Sequence, residues 1–342
     1  MYLSENYSAV KDVNKFFFTA ILLAVICLAF GCAKNTKTLV LRLGHDQTID
    51  PPSEVGVRGF ADAVEKRTNG AITIKIYPSS QLGDSAEQIE GLRIGTLDMA
   101  LAAFAHVSQF VPELGLFSTP YLFDNEQQFA KVFDGKVGSM LDKACNERYG
   151  IRLLSTFTSG NRVFFNCTRP ISDINDLKGL KVRVMAGRAD ALTWRSFGAI
   201  PTPMPYSECY SALEAGVIDG GENEPVSIMA NKFYEPCKYF AMTDHLVLPM
   251  GLFISNKVLE KLPAEYKDII IEEARKAAIR EREDINIKNK EAIDKMVSSF
   301  DVKATNPDKN ILKEKGEPVQ DAIAKQFGLT ELLTEVRNAK KF

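Results

Sequence analysis

Histidine is nearly missing from this chain of 342 residues: there are three, His45, His106 and His245, and they stand far apart. Without a His pair or a CxxC pair at ligand spacing, the sequence argues against a zinc centre. Catalytic signatures are missing too. There is no GxSxG elbow, no GxGxxG after a strand, no P-loop and no HExxH helix. Nothing in the sequence sets a nucleophile beside a base, so binding is favoured over catalysis, and no cofactor or metal is expected. A surplus of one charge is also absent, because 42 basic against 44 acidic side chains leave a formal net charge of −2. That balance gives no electrostatic footprint for nucleic acid or for an anionic membrane surface. Internal repeats and low-complexity tracts are lacking as well.

What is present begins with an unusual N-terminus. Lys11 and Lys15 precede the apolar run FFFTAILLAVICLAFG, residues 16–31, which ends at Cys32. A basic segment followed by a short apolar run is the pattern of a secretory signal, and the run falls short of the roughly 20 residues a membrane-spanning helix needs. A small residue followed by Cys resembles a bacterial lipoprotein signal, in which the Cys is lipidated and becomes the new N-terminus. Such signals carry Leu three residues before the Cys; here that place is Ala29, with Leu28 one position early. The expectation is a lipoprotein-type signal over residues 1–31, an anchor at Cys32 and a tether over 32–37, with plain cleavage or an uncleaved anchor as alternatives. The protein would then sit on the periplasmic, extracytoplasmic face of a membrane.

The chain as a whole has ordinary globular composition, 45% hydrophobic and 25% charged, and a length that suggests about two domains. Four cysteines remain, Cys145, Cys167, Cys209 and Cys237, with no CxxC pair. Export permits disulfides, but a core of this size does not need them, so buried free thiols are expected. Residues 38–43 (TLVLRL) and 72–77 (ITIKIY) read as strands, and 54–68 carries Val57, Phe60, Ala61 and Val64 at helical spacing. A second helix is expected over 86–94, closed by Gly95, and a buried strand over 97–104. After a helical stretch near 126–149, strands are expected at 151–157, 162–167 and 181–184, with helices at 188–197 and 207–215. Two further strands are read at 245–248 and 252–255, and one long helix from 263 to about 299. This alternation indicates an α/β fold with mainly parallel sheet.

An ordered set of segments identifies a family. YPSSQLG (77–83) with GTLDM (95–99), TPYLFD (119–124), DLKGLKVRVM (176–185), PMPYSECYSAL (203–213), GVIDGGEN (216–223) and KFYEPCKYFAMTDH (232–245) follow one another at characteristic spacing. Together they resemble the solute receptors of tripartite ATP-independent periplasmic (TRAP) transporters, the dicarboxylate-receptor (DctP) family, from about residue 38 to 311. The resemblance implies a periplasmic-binding-protein-like clam shell of two α/β lobes, 38–160 with 249–288 and 161–248 with 289–342, braced by the long helix. It also implies capture of a small organic acid, monocarboxylate or dicarboxylate, by cleft closure. Delivery to the small and large TRAP membrane subunits for ion-gradient-driven uptake would follow. A receptor presenting its closed state to a signalling partner is the alternative of another class.

The same resemblance assigns residues. Arg183, in the KVRV position, would pair bidentately with the ligand carboxylate, which a guanidinium fork matches and a lysine does not. Arg162 would be the second arginine, Asn223 a bonding amide, Tyr206 the aromatic wall and Asp46 a polar residue of the first strand's end. Sialic-acid receptors carry a glutamate where this chain has Ala103, followed by Phe104, which is placed at the cleft wall with it. That substitution puts polyhydroxylated sugar acids in doubt and favours a smaller or more apolar acid.

Overall fold

Alternating β-branched runs become the strands of two sheets, and the runs with helical period become the layers that cover them. The computed structural model describes residues 38–48 and 52–340. Its strands, in chain order, are β1 (Leu39–His45), β2 (Ile72–Tyr77), β3 (Met99–Ala103), β4 (Ile151–Asn161), β5 (Val163–Asn166), β6 (Lys181–Val184), β7 (Ile200–Pro203), β8 (Gly220–Asn223), β9 (Tyr239–Ala241), β10 (Val247–Ser255) and β11 (Lys303–Thr305). The first sheet runs β2-β1-β3-β10-β4, with β1 parallel to both neighbours and β10 antiparallel to β3 and β4. The second runs β11-β9-β5-β8-β6-β7. Its β6 is parallel to β7 and β8, and its β5 antiparallel to β8 and β9.

Parallel pairs need crossovers, and helices supply them. Helix α1 (Pro52–Arg67) links β1 to β2 and buries Val57, Phe60 and Val64 completely. Helix α2 (Ser85–Ile94) starts at a capping box, in which the Asp84 side chain accepts from Glu87 N and the Glu87 side chain accepts from Asp84 N. Helix α3 (Phe104–Val107) follows β3 directly. The helical stretch near 126–149 is two helices, α4 (Glu126–Phe133) and α5 (Lys136–Tyr149). The chain doubles back so tightly there that a Cβ at Gly138 would lie 1.9 Å from Phe133 O. Helix α6 (Arg188–Ser196) connects β6 to β7, and α7 (Cys209–Glu214) and α8 (Pro225–Ala230) flank β8.

Helix α9 (Ala264–Ser299) has 36 residues, about 54 Å at 1.5 Å per residue. Its Ile270, Ala274, Ala277 and Ala278 enter the core against the first sheet, and Met296 enters the core of the second. It therefore braces both lobes. The chain crosses between sheets at β4–β5, where Gly160 has φ of 82° and a Cβ would stand 2.5 Å from Asn289 Nδ2. A side chain there meets both a left-handed backbone and a bracing residue. Two C-terminal helices, α10 (Lys309–Phe327) and α11 (Thr330–Ala339), straddle the lobes. Leu312 packs with the second sheet, whereas Val319, Ile323, Leu332 and Val336 pack with the helical layer of the first.

Two expectations are corrected. The apolar segments at 245–248 and 252–255 belong to one strand, β10, because Pro249 sits at a register shift against β4, where its missing N–H costs no ladder bond. Cys167 and Cys237 are disulfide-bonded; only Cys145 and Cys209 are buried free thiols among the described residues. The pairing of β5 with β9 brings the two sulfurs together, since Cys167 follows β5 and Cys237 precedes β9.

Candidate ligand-binding cleft

Arg183 lies on β6 between two fully buried valines, Val182 and Val184, and is itself 4% exposed. Strand alternation turns it to the opposite face from its neighbours. Its Nε and Nη2 donate to Met204 O at 3.2 and 3.1 Å, and its guanidinium carbon lies 5.5 Å from the centre of the Tyr206 ring. One edge of the fork is thereby anchored, which leaves Nη1 and the second Nη2 hydrogen for the two oxygens of a carboxylate. The Tyr206 hydroxyl is fixed in turn, accepting from Asn223 Nδ2 and Asn231 Nδ2 at 2.8 Å each. Asn223 Oδ1 accepts from Glu224 N at 3.1 Å, so most of the Asn223 amide is spent inside the protein.

Arg162 is built differently. Antiparallel pairing sets Val163 of β5 opposite Asn223 of β8, which brings Arg162 beside Glu222 and Glu224. Its Nε donates to Glu222 Oε2, Nη1 to Glu224 Oε2 at 2.9 Å, and Nη2 to Glu222 O at 2.7 Å and Oε1 at 3.0 Å. His245 Nε2 stands 3.5 Å from Glu222 Oε2, and Thr243 Oγ1 holds its Nδ1 at 2.8 Å. Burial alone works to lower the arginine's pKa, but the Glu222 carboxylate overrides it and holds Arg162 charged. Burial likewise opposes ionisation of Glu222, and Arg162 reverses this, keeping Glu222 below the usual carboxylate range. Glu224 is pushed up, chiefly by burial. Arg162 thus reaches the cleft with most of its donors committed to protein acids.

The facing wall comes from the ends of first-lobe elements: Asp46 and Gln47 after β1, Ala103 closing β3, His106 in α3, and Leu248 and Met250 on β10. Between this wall and Arg162, Arg183, Tyr206 and Asn223 remains about 20 Å³, a cleft closed around its arginines. A wider cavity of about 220 Å³ adjoins it and shares Asp46, His106 and Tyr206. A groove of about 610 Å³ between α5 and the α10–α11 junction is larger, but its charged rim is exposed Lys143, Glu147 and Arg148 with a single half-buried carboxylate, Glu113, that Arg148 already pairs.

Five of the expected residues therefore meet: Arg183, Arg162, Asn223, Tyr206 and Asp46. Phe104 does not join them. It is fully buried, with its ring 6.2 Å from Phe117 and 5.6 Å from Phe133, because the chain turns from strand to helix after Ala103 and points the next side chain into the core. Cys32 lies outside the described residues. No helix among the described residues is long and apolar enough to cross a membrane.

Residues 43–326 match the model of the bacterial extracellular solute-binding protein family 7, DctP. The chain belongs to that family. A curated relative, the solute-binding protein of Chromohalobacter salexigens, is 31% identical over 294 residues, covering 84% of this chain and 86% of the relative. The solved sugar acid binding protein of Advenella mimigardefordensis, in complex with galactonate, superposes with a TM-score of 0.84 at 28% identity, covering 90% of this chain and 99% of that one. A TRAP periplasmic solute-binding protein from Polaromonas, bound to D-erythronate, gives 0.83 at 30% identity over 87% of this chain and 98% of that one. The chain is thus a two-lobe binding protein of a periplasmic receptor family, whose members bind solutes and are not enzymes.

Within this family 7 chain, sequence reasoning missed Gln47, His106, Glu222, Glu224 and Asn231. One signal was available: in GGENE, strand alternation puts Glu222 and Glu224 on one face and Asn223 on the other. His106 and Asn231 carried none.

Proposed function

We propose that this chain is the extracytoplasmic receptor of a TRAP transporter, capturing a small organic acid by its carboxylate and delivering it to the small and large membrane subunits. The observation that carries the reading is the Arg183 fork, anchored on one edge by Met204 O, backed by Tyr206 and open on its other edge to a closed cleft. Exclusion of water from such a cleft strengthens the arginine–carboxylate pair. Residues 38–160 with 247–288 close against 161–246 with the segment after 288, the expected boundary at 248 moving back because Val247 and Leu248 open β10 in the first sheet; the β4–β5 crossing and α9 form the hinge. Closed-state contacts supply the differential affinity that shifts the population. Arg162, Asn223 and Tyr206 serve mainly to set the floor of the site, and Asp46 faces the acid from the other lobe.

The sequence argument from Ala103 against hydroxylated acids weakens here. Asp46, Gln47 and His106 supply the polar partners that a glutamate at 103 would have given, while Ala103, Met185, Leu248 and Met250 make an apolar side. Relatives with bound galactonate and D-erythronate support the same widening. Mass spectrometry of the ligand that co-purifies, with isothermal titration, tests the reading: one acid per chain and no product. Steady product formation that a cleft substitution abolishes would overturn it. For delivery, vesicles bearing the membrane subunits should take up labelled acid only with this protein and an ion gradient. The anchor is assigned to Cys32, and Cys32→Ser should leave unprocessed precursor or release the protein to the soluble fraction; normal processing and membrane partition would refute that assignment.

A further inference from the structure

The two cavities of the cleft differ in charge. The inner one holds both arginines. The outer one, about 220 Å³, is lined by Asp46, Ser80, Asp84 and Ser85 from the first lobe and by Ser207 beside Tyr206 from the second, and no lysine or arginine lines it. Its carboxylates are satisfied by neutral donors: Asp46 accepts from Ser85 Oγ at 2.8 Å and Gln47 Nε2 at 3.0 Å, and Asp84 accepts from Glu87 N at 2.9 Å. His106 lines both cavities, is 8% exposed, and its ring hydrogen-bonds no side chain among the described residues.

We propose that the acid carries a single carboxylate, gripped by Arg183, and an uncharged hydroxylated tail that fills the outer cavity, where Asp46 and Asp84 reject a second carboxylate. The inference rests on the carboxylate-capture reading. Ionised carboxylates only accept hydrogen bonds, whereas hydroxyls both donate and accept. A hydroxylated tail therefore complements Asp46, the serines and the free imidazole nitrogen of His106. A second carboxylate would lie beside two acceptor-only anions in a cavity that no lysine or arginine lines. Burial, joined by the nearby arginines, lowers the pKa of His106 and so disfavours the imidazolium that would supply a cation. Size agrees: at about 30 Å³ per water-sized group the outer cavity takes roughly seven, enough for a tail of roughly three or four hydroxylated carbons.

Matched pairs test this, since threonate and tartrate, like gluconate and glucarate, differ only by a terminal CH2OH or carboxylate. Isothermal titration of all four compounds is run on the parent, on the Asp46→Asn, Asp84→Asn double variant and on Arg183→Ala. Asparagine caps a helix about as well as aspartate, so α2 is kept. The parent is expected to prefer at least one monoacid over its diacid by roughly 100-fold, as like-charge rejection predicts. The double variant is expected to narrow that gap to under about 10-fold, chiefly by admitting the diacid. A diacid that binds the parent as tightly as its monoacid, a gap unchanged in the double variant, or failure of both monoacids to bind overturns the inference while leaving carboxylate capture standing. If Arg183→Ala binds mono- and diacids as the parent does, the capture reading fails instead.

Discussion

If Arg183 grips the ligand as proposed, removing it should strand the carboxylate in the cleft. The side chain is 4% exposed, its fork is pre-set by Met204 O, and the void around it is only about 20 Å³, so the pair it would form is largely shielded from water. Truncating one partner of such a desolvated pair costs roughly 2–5 kcal/mol. At about 1.4 kcal/mol per decade, Arg183→Ala should weaken binding by about 30-fold to several thousand-fold. Arg183→Lys should recover only part, because a point charge cannot both hold Met204 O and present two prongs. The amide or ester of the acid should bind the parent poorly and lose little more in Arg183→Ala, so the double comparison isolates the pair. Isothermal titration of the variant–ligand combinations measures this, and melting of the ligand-free variants separates it from a folding defect. A folded Arg183→Ala protein that binds the free acid within about threefold of the parent would refute the clamp.

Three other outcomes follow from buried chemistry. Glu281, on α9 beneath β4, accepts from Thr158 N at 3.1 Å and is pushed by burial up to about 8. Unfolded, it ionises near its ordinary 4.5, so between about pH 4.5 and 8 the folded state holds a proton the unfolded state has lost, and stability falls as pH rises through that window. Glu281→Gln should flatten the slope, worth up to about 1.4 kcal/mol per pH unit, in urea unfolding followed across pH; an unchanged slope would refute the assignment. Reducing the Cys167–Cys237 bond frees a 70-residue separation and should lower the unfolding free energy by about 2–4 kcal/mol, read from denaturant titrations with and without reductant; no loss would show that the bond constrains little. Glu222→Ala leaves Arg162 buried with half its partners and should cost about 3–5 kcal/mol, lowering the urea midpoint; a midpoint within error of the parent would contradict the network.

Local pattern was enough for most of the elements and for one arm of the site. The β-branched alternation of ITIKIY, the Val57–Phe60–Ala61–Val64 stripe and the uninterrupted run through 264–299 each state their structure within a few turns of chain, because burial selects side chains at the period of the element. Arg183 was legible for the same reason: it is the polar member of an apolar strand, and its neighbours Val182 and Val184 fix which way it faces. The role of Arg162 was not. Its partners Glu222 and Glu224 are 60 and 62 residues away, and only the β5–β8 register decides that they take most of its donors. Phe104 failed as a cleft residue because a strand-to-helix turn, invisible to periodicity, sends it into the aromatic core. Cys167 met Cys237, and His106 met Asp46 and Tyr206, for a like reason. Side-chain period is a property of the neighbouring backbone, whereas a charge's partner is a property of which sheets pair and how the lobes close. The sequence by itself settled the elements and the face Arg183 presents; the tertiary structure alone decided which of two buried arginines kept donors uncommitted to the protein.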